Sequence, residues 1–238
     1  MGRFFACDYA GAPFDLFGAA HLGGLLALLT FNLLLTRFAS ALTRTRGLLR
    51  LTLALTLYLN ESAWHLWKVA CGQWTVQTML PLQLCSVFVW LSGLMLLRRS
   101  YRLYELTYFM GIGGALQALA TPDLGPYGFP HFRFFQTFLS HGLIITSAVY
   151  MTAVEGFRPT WKSMLRAAGW GNLYALGIYF VNLALGSNYL MLNARPGVPS
   201  LLDYLPDWPW YLPWMEGIGL ATILLLFLPF TLSGGSQP

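Results

Sequence analysis

Apolar positions in this chain come in long uninterrupted runs. The stretch 23–35, GGLLALLTFNLLL, stays apolar for more than three helical turns with no two-residue alternation. Seven such segments stand out, at about 17–38, 47–68, 73–97, 103–121, 130–153, 166–187 and 211–232. Each is long enough to cross a ~30 Å hydrocarbon layer at ~1.5 Å per residue. A spanning strand would show ~10-residue alternating stretches, and these are absent from the sequence. The pattern predicts an all-α fold, a polytopic membrane bundle of seven transmembrane helices. The connections are too short to hold a second domain, so 1–238 is expected to form one.

The breaks between runs carry their own information. Pro122, Gly125, Pro126, Gly128 and Pro130 predict a stiff turn rather than a floppy loop. Residues 188–210, NYLMLNARPGVPSLLDYLPDWPW from Asn188 on, are proline-broken yet apolar, the composition of an interfacial or re-entrant cap. Trp208, Trp210, Tyr211 and Trp214 follow it, an aromatic group expected at headgroup level. Within 103–121, Gly111 and Ala115, then Gly114 and Ala118, recur at four-residue spacing and predict a close helix-packing seam. No internal repeat is legible, and the first apolar run is expected to be a membrane helix rather than a cleavable leader.

Composition agrees: 56% of the 238 residues are hydrophobic and only 10% charged, too little polar surface for an ordinary soluble domain. Charge then sets orientation. Ten of the 14 Lys and Arg fall in the connections after the first, third and fifth segments, and four (Arg3, Lys68, Arg133 and Arg195) lie on the other side. That bias predicts the N-terminus outside and the C-terminus inside. The net charge of +5 is thereby accounted for, and no basic patch remains to suggest a nucleic-acid partner. Lipids are the expected partners, and there is little loop for a soluble one to hold. Of the three cysteines, Cys7 and Cys71 fall outside and can form a disulfide or remain apart, while Cys85 lies within the third segment.

Polar residues inside the segments gather toward one side of the membrane. Glu61, His65 and Lys68 share a face of the second segment at i, i+4, i+7. Gln77, Pro81 and Cys85 align on the third, and Arg133, Thr137, Ser140 and His141 on the fifth. Gln117, Asn182 and Glu216 add to the outer half from three further segments, and below His141 the stripe turns apolar at Ile144, Ile145 and Ala148. Ionisable groups in hydrocarbon cost roughly 2.5–3.5 kcal/mol each on insertion scales, so they face a bundle interior or a wet cavity. The expected site is an outward-facing polar pocket with an apolar floor at mid-membrane, lined by Glu61, His65, Gln83, Gln117, His131, Arg133, Gln136, Asn182 and Glu216.

Cys85 and His141 mark that floor, each about 16–18 Å from its expected helix start. A thiol beside an imidazole can attack an ester or thioester carbonyl while the imidazole takes and returns the proton. Cys85 as a plain packing residue is the competing reading. Pro81 predicts a bend one turn earlier. Gln83, Gln136 or Asn182 could donate to a developing oxyanion, and Arg133, Lys68 and His131 could hold a phosphate. The leading expectation is a lipid-handling acyltransferase or acyl hydrolase. The alternatives are a transporter or ligand-binding protein using Glu61 and Glu216, and an intramembrane zinc hydrolase. Helical zinc spacings such as H-x-x-x-H and H-E-x-x-H are absent, as are G-x-S-x-G and the P-loop, so neither metal nor cofactor is expected.

The stretches YFMGIGGALQALATPDL, FPHFRFFQTFLSHGLI, SNYLMLNARPGVPSLLDYLPDWPWY and LPLQLC resemble the YwaF family of bacterial integral membrane proteins over about residues 60–220. The resemblance implies a compact multi-helix membrane protein. A more distant resemblance, to an animal membrane acyltransferase that remodels ether phospholipids, implies a cysteine and a histidine as reacting groups. His141 in LSHG matches that histidine. The relative's cysteine follows a proline in a pattern like Asn-Pro-Cys-His, where this chain reads Leu80-Pro81-Leu82-Gln83, and the nearest thiol is Cys85.

Overall fold

A computed structural model describes residues 3–195 and 201–232, and among them all regular structure is helical. The main helices are α1 (Ala19–Arg37), α2 (Arg46–Ala70), α3 (Leu84–Arg98), α4 (Tyr101–Leu106), α5 (Ile112–Ala120), α6 (Phe132–Ala153), α7 (Trp161–Leu185) and α8 (Tyr211–Leu232). A π-helical turn, Thr107–Gly111, joins α4 to α5 in one rod, so seven rods correspond to the seven apolar runs. By length and apolar composition alone, two helices qualify as spans, Ala19–Arg37 and Tyr211–Thr231. Leu84–Arg98 is apolar but shorter.

The third run departs most from expectation. A helix over 73–97 was predicted, but α3 begins only at Leu84. Pro81 has no N–H and biases Leu80 away from helical backbone, so it ends an irregular segment rather than bending a helix. That segment is held otherwise: Tyr189 Oη accepts from the Leu80 amide (2.9 Å) and donates to the Val76 carbonyl (2.7 Å), and Tyr174 Oη donates to the Leu82 carbonyl (2.8 Å). Gln77 and Pro81 therefore share no helical face with Cys85.

One end of the bundle is tied by a disulfide between Cys7 and Cys71, with their Cα atoms 5.6 Å apart. The N-terminal segment lies across this end. Trp67 Nε1 donates to the Phe5 carbonyl (3.0 Å), Tyr127 Oη to that of Cys7 (2.8 Å), and His131 Nε2 to that of Ala6 (3.0 Å). The loop after α7 also folds back here, with the Leu190 amide donating to Gln83 Oε1 (3.0 Å) and Tyr211 Oη to the Met191 carbonyl (2.5 Å). Residues 196–200 of the expected cap lie outside the described residues. Trp208, Trp210 and Trp214 are exposed as an interfacial group would be, whereas Tyr211 is fully buried and belongs to the interior.

The core runs from Leu35 of α1 to Phe227 of α8 with contributions from every helix between. Gly111 and Gly114 form the predicted close seam. A Cβ on Gly111 would lie 3.1 Å from Ile144 Cγ2 and 3.2 Å from Phe88 Cδ1, and one on Gly114 3.0 Å from Leu84 Cδ2 and 3.6 Å from Cys85 Sγ. The opposite, arginine-rich end is less apolar inside than expected. Glu105, Ser92, Thr107, Thr146, Ser147 and Ser163 are all buried. Helices accommodate hydroxyls cheaply because they bond their own backbone, as Ser147 Oγ does to the Leu143 carbonyl (2.6 Å).

Candidate functional site

The helices α2, α3 and α6 pack together near the disulfide end, and four of the nine expected pocket residues, Glu61, His65, Arg133 and Gln136, meet between them. Asn60 of α2 donates through Nδ2 to Ser140 Oγ (2.7 Å) and to the Gln136 carbonyl (3.1 Å) of α6. Gln136 Nε2 donates to Ser140 Oγ (3.1 Å), and its Oε1 accepts from Arg133 Nη1. The Arg133 guanidinium lies over the Trp64 ring, 3.9 Å from its centroid, a cation–π seat that helps hold a charge away from water.

Glu61 is the least satisfied member. It is buried, has the Ser86 hydroxyl of α3 as a hydrogen-bonding neighbour, and feels the charge of Arg133. Its Oε1 has no hydrogen-bond partner, and His65 Nε2 stands 3.7 Å away. His65 Nδ1 accepts from Trp74 Nε1 (3.1 Å). Buried polar atoms are nearly always paired, so an orphaned carboxylate oxygen marks a place built for something else.

Cys85 is reached by the same helical break that shortens α3. With Gln83 as N-cap and no side-chain cap, Cys85 is the second residue of the helix. The amides of Leu84, Cys85 and Ser86 then have no acceptor among the described residues, as expected of a first helical turn. These N–H groups and the helix dipole favour negative charge at this point.

His141 lies at the same depth. α3 and α6 both start at the disulfide end, and Phe88 and Ile144 meet over Gly111. Cys85 precedes Phe88 by three positions and His141 precedes Ile144 by three, so each is about 4.5 Å nearer the disulfide end than that apolar layer. His141 Nδ1 faces the Thr137 carbonyl at 2.8 Å. A carbonyl only accepts, so Nδ1 carries the proton and Nε2 keeps its lone pair. No hydrogen bond joins Cys85 to His141 among the described residues. Thr137 Oγ1 nearby is a further buried atom with no partner.

The remaining expected residues lie elsewhere. His131 caps α6, its Nδ1 accepting from the Arg133 amide (3.0 Å). Asn182 holds the turn after α7, donating to the Tyr189 carbonyl (2.9 Å) and accepting from Ser187 Oγ and the Tyr189 amide (2.8 Å each). Gln83 binds the returning loop. Gln117 is exposed on α5, and Glu216 of α8 accepts from Asn172 of α7 at 2.8 Å, in an exposed pair. Lys68 reaches Gln73 Oε1 (2.7 Å) above the Trp64 ring. Among the described residues, no three His, Cys, Asp or Glu side chains converge as metal ligands.

Ser86 and Trp64 complete the cluster and were not anticipated. An exposed-looking serine after Cys85 carries no signal while the third run is read as helical from residue 73. Trp64 three residues after Glu61 reads as lipid-facing until Arg133 is placed over it.

A bundle of apolar helices closed around buried ionisable groups is that of an integral membrane protein. The sequence profile of the TMEM164 family matches residues 16–227, and the chain belongs to that family. Comparison with curated proteins and with solved structures gives no match. The matched family carries the TMEM164 name, and the YwaF label stays a resemblance.

Proposed function

We propose that the chain is a single seven-span domain acting as a lipid-handling enzyme of the cell membrane, an acyltransferase or acyl hydrolase for phospholipid-like esters. The observation that carries this reading is the start of α3 at Leu84, which gives Cys85 three unpartnered amides at the depth of a histidine with a free Nε2. The resemblance of LSHG to the animal acyltransferase's histidine motif points the same way. The disulfide at the N-terminal end suits an oxidising outer face, in keeping with an outside N-terminus and an inside arginine-rich end.

In this mechanism, His141 Nε2 takes the Cys85 proton and the sulfur attacks the ester carbonyl carbon. The carbonyl π pair moves to oxygen, where the amides of Leu84, Cys85 and Ser86 receive it, while Asn182 is engaged through both Nδ2 and Oδ1 in the turn after α7. As the C=O re-forms, the lyso-lipid alkoxide leaves with the proton from His141. Water or an acceptor hydroxyl then attacks the thioester, giving up its proton to His141 and regenerating the thiol. Arg133 and Lys68 sit where a phosphate would be held.

The test is release of a labelled acyl chain from phospholipid in mixed micelles. Release by wild type that falls at least a hundredfold in both Cys85→Ala and His141→Ala supports the reading. Equal release by the three proteins overturns it, and lipid binding without release favours a binding protein.

A further inference from the structure

At the arginine-rich end, away from the proposed reaction site, a cleft of about 470 Å³ opens between α4 and α7. Both helices start at this end, so residues four positions further along each lie about 6 Å deeper. At the mouth stand Arg102 and Arg166, and one turn deeper stand Leu106 and Trp170, with Leu103 beside them. The cleft is thus cationic at its rim and apolar below. Trp170 is exposed, and a Cβ on the adjacent Gly169 would meet open space.

Arg166 is fixed in place. Buried Glu105 accepts from its Nε (3.0 Å) and from Nη2, and Ser163 Oγ donates to the same carboxylate (2.6 Å). That side-on pairing uses two of the five guanidinium N–H groups and leaves three on the open side. Arg102 has no hydrogen bond or ion pair with another described side chain. With Glu105 neutralising one arginine, the rim keeps one net positive charge. A fixed guanidinium fork beside a second arginine fits a phosphodiester, and the apolar depth fits an acyl chain.

We propose that this cleft binds one anionic phospholipid, its phosphate between Arg102 and Arg166 and its chain along Leu103, Leu106 and Trp170. The site is separate from the reacting groups, and its occupant is a bound lipid rather than a substrate.

The experiment uses the full chain in nanodiscs holding phosphatidylglycerol with a photoactivatable group on an upper acyl carbon, followed by peptide mapping. Cross-links at Leu103, Leu106 or Trp170 are expected. They should fall at least fivefold in Arg102→Gln and stay above half in Arg102→Lys. Arg102→Gln leaves the Glu105–Arg166 pair intact, and an unchanged melting temperature checks its fold. Equal labelling by the phosphatidylcholine analogue, or labelling unaffected by Arg102→Gln, overturns the proposal. Displacement by excess free glycerol phosphate also overturns it, since the headgroup alone would then be what is recognised.

Discussion

The two ends of the bundle both bury carboxylates, and they treat them differently. At the arginine-rich end, Glu105 is gripped by Arg166 and Ser163, and Glu155 lies 2.6 Å from Arg99 with Tyr150 Oη at 3.2 Å, although its Oε2, like Glu61 Oε1, makes no hydrogen bond of good geometry. At the disulfide end, Glu61 has Ser86 and a histidine 3.7 Å away, and one oxygen is left over. The first arrangement fixes helices, since breaking a buried ion pair leaves a charge without compensation. The second keeps polar capacity in reserve, next to three unpartnered amides and a free imidazole nitrogen.

The largest effect that would sharpen this contrast concerns the covalent tie. The disulfide closes 64 residues of sequence, so Cys7→Ser should cost up to about 4 kcal/mol in unfolding free energy. Hydrogen exchange should show the largest loss of protection in the N-terminal segment and the start of the α2–α3 connection. Next in size is a matched pair of isosteric changes. Glu105→Gln should destabilise by about 3 kcal/mol, whereas Glu61→Gln should stay within about 1 kcal/mol of wild type, because little holds that charge. Unfolding in mixed micelles measures both, and equal losses would erase the difference between the ends. Smallest is Asn60→Ala, which removes the link from α2 to Ser140 and the Gln136 carbonyl and should cost about 1 kcal/mol.

The helices were legible because seven long apolar runs leave few other folds, and the observed rods differ from the predicted ones by a few residues except at the third. There the error had a physical source. An apolar run with one proline reads as a kinked helix, and what actually ends it is a set of tertiary hydrogen bonds from Tyr174 and Tyr189, distant in sequence. Depth sorting found Glu61, His65, Arg133 and Gln136 together because helical spacing fixes which residues share a face. The same sorting could not separate them from His131, Gln83 and Asn182, whose polar atoms tie loops, nor from Glu216, which pairs with Asn172 on the far side of α7. Polarity at the right depth says that a group needs a partner, and only packing says which. The inner cluster around Glu105 escaped notice because its residues lie at helix ends, where charge reads as a topology signal.

The proposed joint action of Cys85 and His141 is tested most directly by intact-mass spectrometry after incubation with phospholipid carrying a labelled acyl chain. It predicts one acyl adduct on wild type, removed by hydroxylamine and missing from Cys85→Ala and His141→Ala. An adduct that survives in Cys85→Ala, or no adduct and no released label while the lipid is bound, would contradict it.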